Sequence, residues 1–111
     1  MKTEIKDGIP TISPEVLKSE IGKIKIVDVR RPEEYTGELG HIQTAQLVTL
    51  GPELETFLKT QDHKTPLVFV CKSGGRSAQA TEYGMRLGFQ HAYNMTGGML
   101  LWNQLKLPTE K

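Results

Sequence analysis

Leu67-Val68-Phe69-Val70-Cys71-Lys72-Ser73-Gly74-Gly75-Arg76-Ser77 brings together an unbroken apolar run, the only cysteine of the chain, and a glycine-rich loop with two cations. The apolar run reads as a strand buried on both faces, which belongs in the middle of a parallel sheet. Ala78 to Leu87 behind it reads as a helix, with Ala80, Gly84 and Leu87 on one face and Gly88 at the position that ends it. A thiol is therefore set where a strand gives way to a helix. That junction gathers unpaired backbone N–H groups and the positive end of a helix dipole. Gly74 and Gly75 let the backbone curl around an anion, and Lys72 and Arg76 add fixed positive charge. Such surroundings lower a cysteine pKa. A lone cysteine is most often a small buried hydrophobe, but these neighbours favour a nucleophile in an anion-binding loop. A nucleotide P-loop, with Gly, four residues and Gly-Lys-Ser/Thr, is absent.

Outward from this stretch the chain alternates between strand-like and helix-like segments, the pattern of a parallel sheet with helices on its faces. Ile9 to Ile12 reads as a short strand. Ser13-Pro14-Glu15 reads as a helix start, with Ser as N-cap and Pro at the first helical position, and Gly22 as its end. Ile24 to Val29 is the next strand, Pro32 to Tyr35 a short helix, and Ala45 to Thr49 a weak strand at or near an edge. Pro52 opens a helix whose Leu54, Phe57 and Leu58 form a buried stripe. Gln90 to Asn94 is a last strand, and Met99 to Leu105 a last helix with Trp102 in the core. Ligands of open parallel sheets bind beyond the carboxyl ends of the strands. The Cys71 loop, Arg30-Arg31 and the loop Met95 to Gly98 should thus gather around one shallow pocket.

The 111 residues fit one domain, residues 1–111. The 14 basic and 13 acidic residues nearly balance, so no strong field draws the chain to nucleic acid or to an anionic membrane. One cysteine permits no internal disulfide, no cysteine-based zinc site and no Cys-x-x-Cys pair. His41, His63 and His91 show no metal-ligand spacing, and each reads as a surface or supporting residue. The N-terminus lacks the apolar core of a signal peptide, and no run approaches a membrane span. These features lead to the expectation of a soluble, cytoplasmic protein, where a free thiol stays reduced.

The chain resembles the single-domain rhodanese (sulfurtransferase) homology family over nearly its whole length. The resemblance is carried by Val27-Asp28-Val29-Arg30 with Pro32-Glu33-Glu34-Tyr35, by Gly40-His41-Ile42, by Cys71 to Ser77, and by Gly97-Gly98 with Trp102. It implies an α/β fold with a central five-stranded, mainly parallel sheet flanked by helices on both faces. It also implies transfer of a sulfane sulfur from a donor such as thiosulfate to a thiophilic acceptor such as cyanide or a thiol. On this reading Cys71 is the catalytic nucleophile that becomes a persulfide. Lys72, Ser73, Gly74, Gly75 and Arg76 form the substrate-binding loop, and no metal or organic cofactor is needed. The partners expected are a small anionic sulfur donor and a thiophilic acceptor, with a sulfur-relay protein left open.

Two positions depart from the family pattern. Lys72 stands where many members have Arg, which keeps the charge but loses the bidentate fork. Gln43-Thr44 stands where the usual Gly-His-Ile-Pro-Gly-Ala has Pro-Gly. Asp28 and Arg30 read as a structural hydrogen-bond network in preference to catalytic groups, and His41 has no evident base role. A cysteine phosphatase or arsenate reductase shares a Cys-to-Arg loop, but those loops place five residues where this chain has four. A binding module without turnover and a persulfide carrier are the remaining alternatives.

Overall fold

The computed structural model describes residues 1–111. Its elements run β1 (Glu4–Lys6), β2 (Ile9–Ile12), α1 (Pro14–Ser19), β3 (Lys25–Asp28), α2 (Pro32–Tyr35), β4 (Gln46–Leu47), α3 (Pro52–Lys59), β5 (Leu67–Val70), α4 (Gly75–Arg86), β6 (Ala92–Met95) and α5 (Gly98–Gln104). The strands form one sheet in the order β1-β2-β6-β5-β3-β4. The five strands β2, β6, β5, β3 and β4 are mutually parallel, as the alternating pattern implied. The sheet has six strands where five are expected from the sequence: β1 adds an edge strand antiparallel to β2. All three of its residues are exposed, so it carries no apolar alternation by which a strand could be recognised.

β5 lies between β3 and β6, and its four residues are fully buried. Alternation splits them between two cores. Leu67 and Phe69 join Leu54, Leu58, Ala80 and Phe89 under α3 and α4. Val68 and Val70 join Leu17, Met95, Met99 and Trp102 under α1 and α5. Cys71 continues the parity of Leu67 and Phe69 and so faces α4. The small face of α4 does what its spacing implied: a Cβ placed on Gly84 would sit 3.7 Å from both the Ala92 Cβ and the Phe69 ring. The helix therefore lies directly on the sheet. Trp102 is wholly buried, and its indole N–H donates to the Pro108 carbonyl at 2.9 Å.

Ser13 caps α1 as expected, accepting from the Val16 amide at 3.3 Å. The helix is shorter than Gly22 suggested and ends at Ser19. Gly22, at φ +90, instead turns the chain towards Ile24, which bridges Ile21.

At the carboxyl end of β3, Arg30 is 1 % exposed and pairs with both carboxylate oxygens of Asp28 at 2.8–3.2 Å. Its Nη2, which donates to Asp28 Oδ2, also donates to the Gly40 carbonyl at 2.7 Å. The pair is a structural tie, as the sequence indicated, fastening the segment after α2 to the sheet. Its geometry meets the requirement that a buried charge be paired and hydrogen-bonded. His41 is buried, stacks on Tyr35 at 3.7 Å between ring centroids, and its Nδ1 lies 2.8 Å from the Tyr35 carbonyl.

In the departing turn, Thr44 adopts φ +72. This is the left-handed region, and a β-branched residue there is strained by about 1–2 kcal/mol. Thr44 is exposed, so nothing else depends on its side chain. Thr44→Gly should raise unfolding free energy by about 0.5–1 kcal/mol, the relieved strain less the added unfolded-state entropy of glycine. Urea unfolding at neutral pH measures it, and a destabilised variant would refute the strain.

Candidate functional site

β5 delivers Cys71 to the carboxyl edge of the sheet, and α4 starts four residues later. The helix begins at Gly75, not at Ala78 as the sequence suggested. Its first turn therefore includes Arg76 and Ser77, and the loop proper is only Lys72-Ser73-Gly74. Gly74 makes the turn at φ +107, a conformation an L side chain rarely adopts.

The loop is gripped from its outer side by the start of α5. The Met99 amide donates to the Cys71 carbonyl at 2.8 Å, and the Leu100 amide to the Lys72 carbonyl at 2.9 Å. A Cβ on Gly98 would collide with the Lys72 carbonyl group and lie 2.6 Å from the Cys71 oxygen, so only glycine permits this approach. With the Lys72 carbonyl held outward, the Ser73 amide of the same peptide is turned towards the sulfur, because carbonyl and N–H of a trans peptide point opposite ways.

Cys71 Sγ accepts from the Gly74 amide at 3.1 Å and lies 3.2 Å from Ser77 Oγ. Ser77 is fully buried and donates to Asn94 Oδ1 at 2.5 Å, while Asn94 Nδ2 reaches the Gly74 carbonyl at 3.3 Å. Burial pushes the Cys71 pKa up, but the Ser77 hydroxyl and the amides of Ser77, Gly74 and Ser73 pull it down further. The net result is a thiol more acidic than an ordinary cysteine.

The two expected cations are placed differently. Arg76 Nη1 and Nη2 bind the two carboxylate oxygens of Glu34 at 2.7 and 2.9 Å. The charge of Arg76 is thereby neutralised, and its guanidinium is committed to α2. Lys72 is exposed and has no ion-pair partner. The expectation of one shallow pocket also needs correction: the loop stands between two depressions. One, about 180 Å³, is lined by Arg30, Glu33, Glu34, Glu38, Leu39 and Lys72. The other, about 260 Å³, is lined by Ser73, Gly74, Asn94, Thr96 and Gly97 and runs to Lys6 and Asp7. Arg30 and the loop Met95 to Gly98 thus flank the Cys71 loop on opposite sides. Arg31 lines neither depression, and its backbone N–H caps α2 through Glu34.

Glu34, Ser77 and Asn94 were not among the sequence-derived site residues. Asn94 left a signal, since it is a polar residue within a strand that is otherwise apolar at the positions facing α4. Nothing local marks Glu34 as the partner of Arg76, 42 residues away.

A model of the rhodanese-like domain matches residues 13–105. The fold is similar to that of a human single-domain sulfurtransferase, with 30% identity over 87% of this chain and 97% of that one, and a TM-score of 0.76. It is also similar to a 30 kDa polysulfide-sulfur transferase homodimer of Wolinella succinogenes, with 27% identity over 90% of this chain and 77% of that one, TM-score 0.75. A protein of unknown function from Rhodopseudomonas palustris, described as a possible tyrosine phosphatase, has 27% identity over 92% of this chain and 85% of that one, TM-score 0.77.

The Glu34–Arg76 pair gives a pH signature. Hydrogen bonding to Arg76 lowers the Glu34 pKa from 4.5 to about 2. A carboxylate with a depressed folded-state pKa contributes stability that is fully present above the unfolded value and lost as pH falls through the folded one. Wild type should therefore exceed Glu34→Gln in stability above 4.5, and the gap should close as pH falls towards about 2. Urea titrations across that window measure it, and a gap independent of pH would show that the pair contributes nothing as a charge.

Proposed function

The chain belongs to the rhodanese-like domain family, and from that premise we propose that it is a sulfurtransferase working through a persulfide on Cys71. The observation that carries this reading is the position of the sole cysteine, its sulfur turned into the start of α4 and hydrogen-bonded by the Gly74 amide at 3.1 Å. The thiolate attacks the outer sulfur of thiosulfate. The bond between the two sulfurs of the donor breaks, and sulfite leaves with the electron pair. The enzyme is left with a Cys71 disulfanide whose terminal sulfur carries the negative charge. Backbone N–H groups of the loop are the available donors for that charge, acting as an oxyanion hole acts on oxygen. An acceptor such as cyanide then attacks the terminal sulfur, leaves as thiocyanate and restores the thiolate, a ping-pong sequence.

Cys71 is only 1 % exposed, whereas Lys72 and Ser73 are exposed. The sulfur therefore lies beneath the loop, and the donor must approach it past Lys72 and Ser73. Lys72 is the free cation at the mouth and is the residue proposed to recruit an anionic donor. The proposed substrate loop remains Lys72, Ser73, Gly74 and Gly75, with Arg76 acting through its hold on Glu34. A phosphatase reading finds less support, because such chemistry uses an arginine fork on the oxyanion, and here the fork is occupied by Glu34.

Incubation with thiosulfate should add the mass of one sulfur atom to the intact protein, and cyanide should remove it. Cys71→Ser should gain no sulfur and produce thiocyanate only at background rate. Full turnover by that variant, or strong aryl-phosphatase activity lost with Cys71, would overturn the assignment. Lys72→Ala leaves the carboxylates of Glu33 and Glu38 in the adjoining depression without that counter-charge. It should lower kcat/KM for thiosulfate about two- to fivefold, the worth of an exposed charge pair, and spare a neutral organic trisulfide. Added salt should narrow the difference between the two donors.

A further inference from the structure

Ser77 has one hydroxyl proton and two neighbours that want it. Asn94 Oδ1 lies at 2.5 Å and Cys71 Sγ at 3.2 Å. With a protonated thiol the chain is satisfied throughout: Cys71 S–H donates to Ser77 Oγ, and the hydroxyl donates to Asn94. When the thiol proton leaves to water, the sulfur becomes acceptor-only, and the same arrangement would set it against a lone pair of Ser77. The hydroxyl can turn to the sulfur only if Asn94 stops competing for its proton.

The orientation of Asn94 is not free. Its other amide atom faces the Gly74 carbonyl at 3.3 Å, and only the amino group can face a carbonyl. That contact holds Oδ1 towards Ser77. Reversing the amide would present its amino group to Ser77 Oγ and its oxygen to the Gly74 carbonyl, an unfavourable approach. The Gly74 carbonyl already accepts from the Ala78 amide at 3.1 Å in the first turn of α4 and is fixed there. Asn94 also lines the 260 Å³ depression, through which water can meet a reversed amide oxygen. Ser77 is fully buried and Asn94 is 8 % exposed, so the contest takes place where hydrogen bonds are strong and unpaired groups costly.

We infer that Asn94 is a positioning residue for Cys71: by competing for the single Ser77 proton it restrains formation of the thiolate, and its amide reverses when the sulfur becomes charged. This deepens the persulfide reading but does not depend on turnover. The charged groups around the sulfur are few. Lys72 follows it in the loop, Arg76 on α4 is neutralised by Glu34 of α2, and Asp28 and Arg30 at the end of β3 neutralise each other. Lys6 and Asp7 lie at the far end of the depression. None of them hydrogen-bonds to Sγ or to Asn94. They set the background on which the Ser77–Asn94 relay acts.

Alkylation of Cys71 by iodoacetamide, followed against pH, reads the thiolate directly and requires no sulfur transfer. At a fixed pH below the titration midpoint, Ser77→Ala should react about three- to tenfold more slowly than wild type, the worth of one hydrogen bond to the sulfur. Asn94→Ala, which frees the Ser77 proton, should react faster than wild type by a similar factor. The double variant should match Ser77→Ala, because the proton for which Asn94 competes is then absent and the Gly74 carbonyl that Asn94 releases is still held by the Ala78 amide. A merely structural Asn94 gives the opposite or no change, so an unchanged or slower Asn94→Ala overturns the inference. Should that variant fail to fold, the wild-type protein decides. Its isotope-labelled Asn94 side-chain amide resonances should shift with the thiol titration and lose that response in Ser77→Ala. Resonances indifferent to the titration would refute the relay.

Discussion

Two backbone hydrogen bonds govern the rest of the site. The amides of Met99 and Leu100 at the start of α5 hold the carbonyls of Cys71 and Lys72, at 2.8 and 2.9 Å. These bonds hold the carbonyls of Cys71 and Lys72 away from the sulfur and turn the Ser73 amide towards it, next to the Gly74 amide at 3.1 Å. They form only because Gly98 has no side chain to strike the Cys71–Lys72 backbone. A contact between two backbones thus contributes to the electrostatics of the nucleophile without any charged side chain. The Gly97-Gly98 pair belongs to the site although it never touches the sulfur in chemical terms.

Given that frame, the environment of the thiol is a balance. Burial against Phe69, Ala80 and Val29 raises the energy of a bare charge on the sulfur. Amide donors and the Ser77 hydroxyl lower it further, so the net effect favours the thiolate. The cations contribute less than their number suggests, because Arg76 is occupied by Glu34 and Arg30 by Asp28. Lys72 alone keeps a free charge at the mouth. A site built on dipoles needs little rearrangement when charge moves from Cys71 Sγ to an outer sulfur, which suits a covalent relay.

Several elements were legible because their signals are local. Leu67 to Val70 had to be central, since four successive apolar residues need cover on both faces. Ser13-Pro14 marked a helix start through capping chemistry alone, and Gly88 at φ +98 ended α4 as its position implied. Other elements left no local mark. β1 is exposed throughout and is a strand only because β2 offers it an edge. The first turn of α4 holds Gly75, a poor helix former, so propensity placed the start three residues late. Thr44 took a left-handed conformation against its own preference, because it is the third residue of the turn closed by the Ala45 amide on the Ile42 carbonyl at 3.0 Å, a position that calls for positive φ in a turn of type II, where the second residue has negative φ.

The sequence by itself determined the α/β order of elements, the central strand and the junction at which the sole cysteine lies. Each of these follows from periodicity, caps and glycine positions within a few residues of one another. The resemblance to the rhodanese family added a chemistry to that junction. Only the tertiary structure decided which groups meet the sulfur. Glu34 takes Arg76 out of the cationic set, Asn94 competes for the Ser77 proton, and α5 orients the Ser73 amide. Their partners come from β6, α2 and α5, and the register of a parallel sheet brings them together only after the chain has crossed over its own helices. Hydrogen bonds and ion pairs act over about 3 Å, so their partners are chosen by distance in space, and sequence order carries no record of that distance.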